Sequence, residues 1–240
     1  MIVRLDNPKI LSDAISIISE LVAEVRIKIL EEGLSIVAVD PANIAMVVFK
    51  IPKESFSQYE AGKEVWGVNL EDFKRILKRA ATSSSIILEQ EDNQLKISVF
   101  DKVKRSFVLA LIDVDSEDKA EPSLNFSCEV EMNSQELSQA IEDSLVVADS
   151  CSIGVEGSTF VVEGKGSLNS SKAEFSSDDM KISGSGKSKY SLEYLAKFVK
   201  AKTISDKVVL RFSDDYPLRM DFAGSKLGMG FILAPRVETD

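Results

Sequence analysis

The chain has 240 residues and 44% of them are hydrophobic, which is enough to fill one large domain or two domains of ordinary size. A formal net charge of −10 argues against indiscriminate binding to nucleic acid or anionic lipid, so any polyanion must meet a local basic patch. The chain has no histidine, which excludes Ser-His-Asp and Cys-His catalysis and the usual zinc ligands.

The first half reads as a strand, a helix, three strands, a second helix and three more strands. Asn7 and Pro8 are typical of a helix start, and Asn69 is placed to cap the second helix. Glu32 and Gly33 form a turn between two strands of alternating pattern. The predicted elements are strand 2–5, helix 7–22, strands 25–29, 34–39 and 43–51, helix 70–81 and strands 85–90, 94–100 and 105–112.

Residues 113–124 break this pattern, because they are polar and acidic, contain Pro122 and show no periodicity. Such a segment is typical of a linker between domains. We therefore expect an N-terminal domain over 1–112 and a C-terminal domain over 125–240.

The second half repeats the order of the first. Asn133 or Ser134 caps its first helix, and residues 176–189 are rich in Ser, Gly and Asp, which favours a loop or a short irregular strand. The predicted elements are strand 125–132, helix 135–147, strands 151–155, 158–163 and 171–175, helix 191–202 and strands 207–212, 218–222 and 228–233.

The two halves also match in detail, which indicates a duplication. The apolar residues Leu11 and Ile15 of the first helix correspond to Leu137 and Ile141. A similar apolar pattern opens the second helix of each half. Two β-rich halves with two helices each define an α+β fold of two similar domains, in which the helices cover one face of an antiparallel sheet.

The second helix of each half carries lysine and arginine opposite its apolar side. One such face alone is usually an ordinary solvated surface, but two corresponding basic faces in an acidic chain favour a shared surface for DNA phosphates. No aromatic residues are interleaved with these cations, so we expect backbone contact and not base stacking. The DNA-facing residues are predicted to be Lys74, Arg75, Lys78, Arg79, Lys197, Lys200 and Lys202.

The sequence contains few motifs for nucleotide binding or for thiol chemistry. The segment 183–188 resembles half a phosphate loop, but Lys181 stands where that loop requires glycine. Cys128 and Cys151 lie in strand-like runs and are expected as buried free thiols, although their spacing leaves a bridge open. We expect no catalytic residue, no metal site and no cofactor.

Several motifs, taken together, resemble the archaeal form of the proliferating cell nuclear antigen (PCNA) family of sliding clamps. They occur in the family order and cover essentially the whole chain. The motifs are Glu32–Asp40, Val68–Ala80, Leu111–Asp115, Tyr190–Leu195, Asp215–Leu218 and Leu233–Glu238.

This resemblance implies a DNA clamp fold in which three subunits close a pseudo-sixfold ring around duplex DNA, without sequence preference. The ring is a homotrimer or a heterotrimer with sibling subunits. Its subunits meet through edge strands at about 104–112 of one subunit and 171–177 of the next. The interface residues implied are Arg105, Phe107, Leu109, Leu111, Lys172 and Phe175.

The family also has a groove that binds a short peptide of its partners, which are DNA polymerase, flap endonuclease, DNA ligase and the clamp loader. An apolar C-terminal stretch beside Tyr216 and Pro217 is compatible with such a pocket or with ordinary strand-end packing. Lys119 and Glu121 stand where members of the family often have apolar linker residues, which would weaken binding of the standard peptide or shift partner preference. The groove positions implied are Val39, Asn43, Ile44, Lys119, Glu121, Tyr216, Pro217, Ile232, Ala234 and Pro235.

The resulting functional hypothesis is a clamp subunit that tethers these partners for processive replication and repair. A related ring subunit for DNA damage signalling is the first alternative, and a Mg²⁺-dependent enzyme using Asp40 and Asp113 is the second. No apolar run is long enough to span a membrane, and no signal peptide precedes strand 2–5. The expected location is therefore intracellular, and the family resemblance implies the cytoplasm of an archaeon, in association with the nucleoid.

Overall fold

The protein divides into two compact units of similar size. The structure is a computed structural model and describes residues 2–60, 62–114, 119–175 and 180–236. Unit 1 comprises Met1–Pro41, Val47–Glu121 and Gly224–Met229, and unit 2 comprises Ala42–Met46, Pro122–Ala223 and Gly230–Asp240. Residues 115–118 of the predicted linker, 176–177 of the predicted edge strand and 237–238 of the last motif lie outside the described residues.

The described residues form α-helices and antiparallel strands, with two short 3₁₀ segments at Lys53–Ser55 and Val199–Thr203. In chain order the elements are β1 (Ile2–Leu5), α1 (Pro8–Ile18), β2 (Glu24–Leu30), β3 (Gly33–Val39), β4 (Ala45–Pro52), β5 (Gln58–Glu60), β6 (Glu64–Asn69), α2 (Leu70–Leu77), β7 (Ser85–Glu91), β8 (Gln94–Phe100), β9 (Lys104–Ala110), β10 (Cys128–Asn133), α3 (Ser134–Leu145), β11 (Ser150–Glu156), β12 (Thr159–Lys165), β13 (Ser170–Phe175), β14 (Lys181–Gly184), β15 (Lys187–Ser191), α4 (Leu192–Phe198), β16 (Lys207–Phe212), β17 (Leu218–Ala223) and β18 (Gly228–Leu233).

Unit 1 contains a five-stranded sheet in the order β5-β1-β7-β8-β9, together with the neighbouring strands β3, β2 and β6. Period-two alternation sets the register of the sheet, because one face is buried. Leu88 of β7 lies opposite Ile97 of β8, and both side chains are buried. The strand β9 is the last described strand on its side of this sheet.

The helices α1 and α2 of unit 1 pack against each other, with Leu11 and Ile15 of α1 and Phe73 of α2 fully buried. Asn69 caps α2 as predicted, since its side-chain oxygen accepts hydrogen bonds from the backbone N–H of Glu71 at 3.1 Å and of Asp72 at 3.2 Å. The same arrangement positions the cations of α2 opposite the buried side.

Unit 2 repeats this plan. Its strands lie in the orders β14-β10-β16-β17 and β13-β12-β11-β15, and α3 packs against α4. Asn133, and not Ser134, caps α3, with its side-chain oxygen 2.8 Å from the backbone nitrogen of Gln135. The α+β fold of two similar halves, predicted from the duplication, is confirmed.

Some predicted bounds were wrong. The first helix ends at Ile18 and not at Val22, and Asn7 precedes it without a capping hydrogen bond; its Oδ1 atom is buried and has no partner among the described residues. The second helix of each unit is shorter than predicted, because α2 ends at Leu77 and α4 passes into a 3₁₀ segment after Phe198. Strands β5 and β6 were not predicted.

The segment predicted as loop or irregular strand over 176–189 contains two regular elements in its described part. Strand β14 pairs with β10, with Lys181 opposite Glu131, and β15 pairs with β11, with Tyr190 opposite Cys151. The half phosphate loop therefore spans the end of β14 and the start of β15, which belong to different sheets, and it lacks the loop-to-helix form that phosphate binding requires.

Both cysteines are buried free thiols, as predicted. Burial raises the pKa of the Cys128 thiol to about 11 and that of Cys151 to about 12. Both are protonated at neutral pH and have little nucleophilic character.

Gly33 is required by the close approach of two backbone segments. Its φ is +140°, and a Cβ placed there would lie 2.1 Å from the carbonyl oxygen of Ile51. We therefore expect Gly33→Ala to lower the free energy of unfolding by about 3 kcal/mol, measured by chemical denaturation.

Gly157→Ala is the matched control, because Gly157 also has a positive φ, +66°, but a Cβ there meets no atom within 4 Å. Only the conformational cost of about 1 kcal/mol is expected at that site. Equal losses in the two variants would show that the contact with Ile51 is not important.

Candidate DNA-facing and partner-binding surfaces

The cations of α2 differ in how tightly they are held. The ammonium of Lys74 lies 2.6 Å from a carboxylate oxygen of Glu71 and donates to the hydroxyl of Ser19 at 3.3 Å, and only 19% of its side chain is exposed. Arg75 lies 3.5 Å from Glu71 and 3.6 Å from Asp72, but 68% of its side chain is exposed. Arg75 is thus loosely paired at the surface, whereas Lys74 is fixed.

Lys78 and Arg79 follow α2 and are both exposed. Within the ranges that the structure describes, no carboxylate forms an ion pair with either side chain. The backbone carbonyl of Arg79 accepts a hydrogen bond from the guanidinium of Arg105 at 3.0 Å, which attaches this turn to β9. These two side chains keep their positive charge available to an external anion.

The lysines of unit 2 are engaged within the chain. Lys197 lies 2.9 Å from Glu193 and 5.2 Å from the ring centre of Tyr194. Lys202 donates to the hydroxyl of Ser138 at 2.9 Å and lies 3.3 Å from Glu142. Lys200 is exposed.

These contacts lower the pKa values of the carboxylates that pair with the lysines. The hydrogen bond from Lys74 lowers the pKa of Glu71, and the hydrogen bond from Lys197 lowers that of Glu193. The pKa of Glu142 is lowered first by the hydroxyl of Ser138 and then by Lys202. All three carboxylates are therefore ionised at neutral pH and neutralise part of the basic faces.

The predicted interface residues of β9 include side chains that already pack within their own unit. Leu109 and Leu111 are buried, and Arg105 pairs with Asp101. Val108 of this strand is a large apolar residue with 59% exposure, and it was not among the predicted interface residues. Phe107 lies opposite Ile97 of β8.

The strand β13 is likewise the last described strand on its side of the sheet in unit 2. Lys172 pairs with Glu174 at 2.6 Å, and Phe175 packs on Phe160 with ring centres 5.7 Å apart. The groups of β9 and β13 that remain available to another chain are therefore mainly the backbone N–H and C=O groups along their unpaired edges.

Two predicted groove residues, Ile44 and Ala234, are in contact in unit 2, and Tyr216 belongs to the same unit. The backbone N–H of Ala234 donates to the carbonyl of Ile44 at 2.9 Å, and residue Ile44 is 40% exposed. The backbone carbonyl of Tyr216 accepts a hydrogen bond from the hydroxyl of Tyr190 at 2.7 Å. The ring of Tyr216 packs edge-on against the ring of Phe126, with ring centres 5.9 Å apart. Phe126 was not predicted, because its place beside Tyr216 depends on the fold.

The remaining groove positions are less uniform. Ile232 is buried, Pro217 and Pro235 are half-buried, and Asn43 is exposed with a φ of 55°. Val39 of unit 1 is half-buried, and Lys119 and Glu121 of the same unit are exposed. The arrangement offers apolar side chains and backbone groups, and no nucleophile with a base beside it.

No group of three or more metal-ligating side chains occurs among residues 2–60, 62–114, 119–175 and 180–236. In the same described part of the chain, no helix is long and apolar enough to cross a membrane.

Solved structures with the same fold are known. The chain aligns with the crystal structure of PCNA from Thermococcus kodakaraensis at a TM-score of 0.91 and 21% identity, covering 98% of this chain and 99% of that one. The PCNA2–PCNA3 complex from Sulfolobus tokodaii gives a TM-score of 0.91 at 24% identity, with 99% and 100% covered. The fold is that of the DNA clamps, which confirms the predicted fold class.

Sequence comparison identifies the family. Residues 1–118 match the N-terminal domain of proliferating cell nuclear antigen, and residues 120–237 match its C-terminal domain. A DNA polymerase sliding clamp of Thermococcus gammatolerans is 34% identical over 241 residues, which cover 97% of both chains. The chain belongs to the PCNA family of DNA polymerase sliding clamps.

Family membership assigns the function at the level of class. The protein is a processivity factor and not an enzyme, and its role requires binding to DNA and to polymerase. The proposed Mg²⁺-dependent enzyme and the damage-signalling alternative are not favoured by these matches.

Proposed function

We propose that three subunits, either copies of this chain or siblings, close into a ring that encloses duplex DNA and slides along it. The observation that carries this proposal is the duplicated helix pair, whose second helix in each unit bears cations in a chain of net charge −10. Enclosure needs little attraction, so a modest basic surface is sufficient and the acidic remainder does not interfere.

The ring is proposed to close through backbone pairing of β9 in one subunit with β13 in the next. Each of these strands leaves one side unpaired among the described residues, and an unpaired edge is stabilised by a second strand. The proposed interface residues are Arg105, Phe107, Leu109, Leu111, Lys172 and Phe175, to which Val108 is added.

We propose that partner peptides bind at the apolar positions named above. Ile44, Ala234 and Tyr216 present exposed or half-buried side chains held by backbone hydrogen bonds, and such fixed apolar positions suit an inserted aromatic residue. The partners are DNA polymerase, flap endonuclease, DNA ligase and the clamp loader. The exposed charges of Lys119 and Glu121 would favour some of them over others.

The domain bounds 1–112 and 125–240 with a linker over 113–124 remain our proposal for the functional division of the chain. The proposed location is intracellular, in association with the nucleoid, where the enclosed DNA would be found.

Light scattering of the purified chain, alone and mixed with candidate siblings, tests ring assembly. We expect a particle about three times the mass of one 26.4 kDa chain in at least one of these samples. The same sample should lengthen the products of a DNA polymerase on primed DNA. A monomer in every mixture, together with unchanged product length, would contradict the proposal.

A further inference from the structure

We infer that unit 1 makes most of the DNA contact of this subunit, through Lys78 and Arg79. Lys74 and Lys202 instead act as ties, that is, each binds a residue of the neighbouring helix and stabilises the helix pair. The inference rests on the proposed function, because it divides the proposed DNA-facing residues into two groups with different tasks.

Lys74 and Lys202 make the same kind of contact in the two units. Lys74 of α2 reaches the hydroxyl of Ser19, which ends α1, at 3.3 Å. Lys202, which follows α4, reaches the hydroxyl of Ser138 on α3 at 2.9 Å. In both units, therefore, a lysine on or just after the second helix binds a serine on or just after the first helix.

The two lysines are also partly withdrawn from solvent. The exposed fraction is 19% for the Lys74 side chain and 28% for that of Lys202, and each ammonium has a carboxylate within 3.3 Å. Moving either lysine to a phosphate would require breaking an ion pair and a hydrogen bond in the same step. Such a residue gives little net free energy to DNA binding.

The net charge of the two helix pairs also favours unit 1 as the unit that contacts DNA. In unit 1, the five cations of α1, α2 and the turn after α2 outnumber the four carboxylates of the helices and their following turns, which are Asp13, Glu20, Glu71 and Asp72. In unit 2, α3 contributes three carboxylates, which with Glu193 outnumber the three lysines of α4 and its 3₁₀ segment. The exposed acidic residues of α3 are Glu136, Glu142 and Asp143.

Lys78 and Arg79 remain as the exposed cations of the paired helices for which the described structure shows no carboxylate partner. Lys197 is held by Glu193 and Tyr194, and Lys200 also has an interaction partner. Each lysine or arginine that neutralises a phosphate changes the slope of log K against log salt concentration by about 0.9. The two residues should therefore account for most of this slope.

The test compares two double variants that remove the same charge. Lys78→Ala with Arg79→Ala acts on unit 1, and Lys200→Ala with Lys197→Ala acts on unit 2. The full chain is titrated into a fluorescent duplex of about 30 base pairs at several low salt concentrations, and affinity and salt slope are measured by anisotropy.

We expect the unit 1 variant to weaken binding by about tenfold or more and to lower the salt slope by about 2, and the unit 2 variant to weaken binding by about twofold at most. Equal losses would overturn the division of tasks while leaving the proposed function intact. No loss in either variant would instead contradict the DNA-facing assignment of these helices, and with it that part of the proposed function.

The ties are tested separately by thermal unfolding. Lys202→Met keeps the aliphatic stem and removes the charge and its two contacts, and it should lower Tm. Lys78→Met is the control, because it removes the same charge from an exposed position that has no carboxylate partner among the described residues, and it should leave Tm nearly unchanged. An unchanged Tm for Lys202→Met would show that Lys202 does not tie the helices.

Discussion

Replacing Ile44 by aspartate is expected to abolish stimulation of DNA polymerase. Residue Ile44 is 40% exposed, and its backbone carbonyl accepts a hydrogen bond from the backbone N–H of Ala234 at 2.9 Å. A carboxylate here would be desolvated without a partner when an apolar peptide binds, a cost that is of the order of 3 kcal/mol, or about a hundredfold in affinity. Primer extension and peptide titration measure the two effects.

Val65→Asp is a closely matched control for this change. Val65 lies on β6 of unit 1, is 42% exposed and is also β-branched, but it belongs to no proposed surface. We expect this variant to stimulate polymerase normally and to form the same assembly. If Ile44→Asp behaves like Val65→Asp, the proposed groove is in the wrong place.

Phe231→Ala is expected to give a large loss of stability in unit 2. Phe231 is fully buried, stacks on Phe198 with ring centres 4.4 Å apart and meets Phe222 edge-on at 6.1 Å. Truncation removes the buried ring and both aromatic contacts, and leaves a cavity. The free energy of unfolding should fall by about 3–5 kcal/mol, as measured by circular dichroism in denaturant.

Phe231→Leu separates the effect of the cavity from the loss of the aromatic contacts, since leucine retains most of the buried volume but has no ring. We expect this variant to lose about a third to a half as much stability as Phe231→Ala. Equal and small losses in both variants would show that the three phenylalanines do not form a tightly packed core.

The sequence was sufficient for elements with strong local signals. Asn69 and Asn133 were identifiable as caps because asparagine is favoured immediately before a helical apolar pattern, and both accept the hydrogen bonds that this role requires. The same signal failed at Asn7, which makes no capping hydrogen bond. The strands of alternating pattern, such as β7 and β8, were predicted within a residue of their observed ends.

The prediction failed where a strand depends on its neighbours. β14 is polar and carries no alternating pattern, and it is a strand because its backbone pairs with β10 and Lys181 meets Glu131 at 3.2 Å. β6 is short and interrupted by a glycine, although Trp66 and Val68 are fully buried in it. Such pairings are long-range, so a local pattern does not contain them.

The candidate DNA-facing surface shows the same contrast between features with a local sequence signal and features that depend on distant residues. The positions of Lys74 and Arg75 on α2 and of Lys197 on α4 follow from helical periodicity and could be predicted from the sequence, whereas the other four cations lie just beyond these helices. Their partners could not, because Ser19, Ser138 and Glu142 become partners only when the first helix of each unit packs against the second. The difference between an available and a neutralised cation therefore required the structure.

Retention on circular DNA is the most direct test of enclosure. The assembled protein, loaded by its clamp loader onto a nicked circular duplex, is separated from free protein by gel filtration before and after a single cut opens the circle. We expect it to elute with the closed circle and to be released when the DNA becomes linear. Equal retention on circular and linear DNA would show that the protein holds DNA by surface attraction, which would contradict the account.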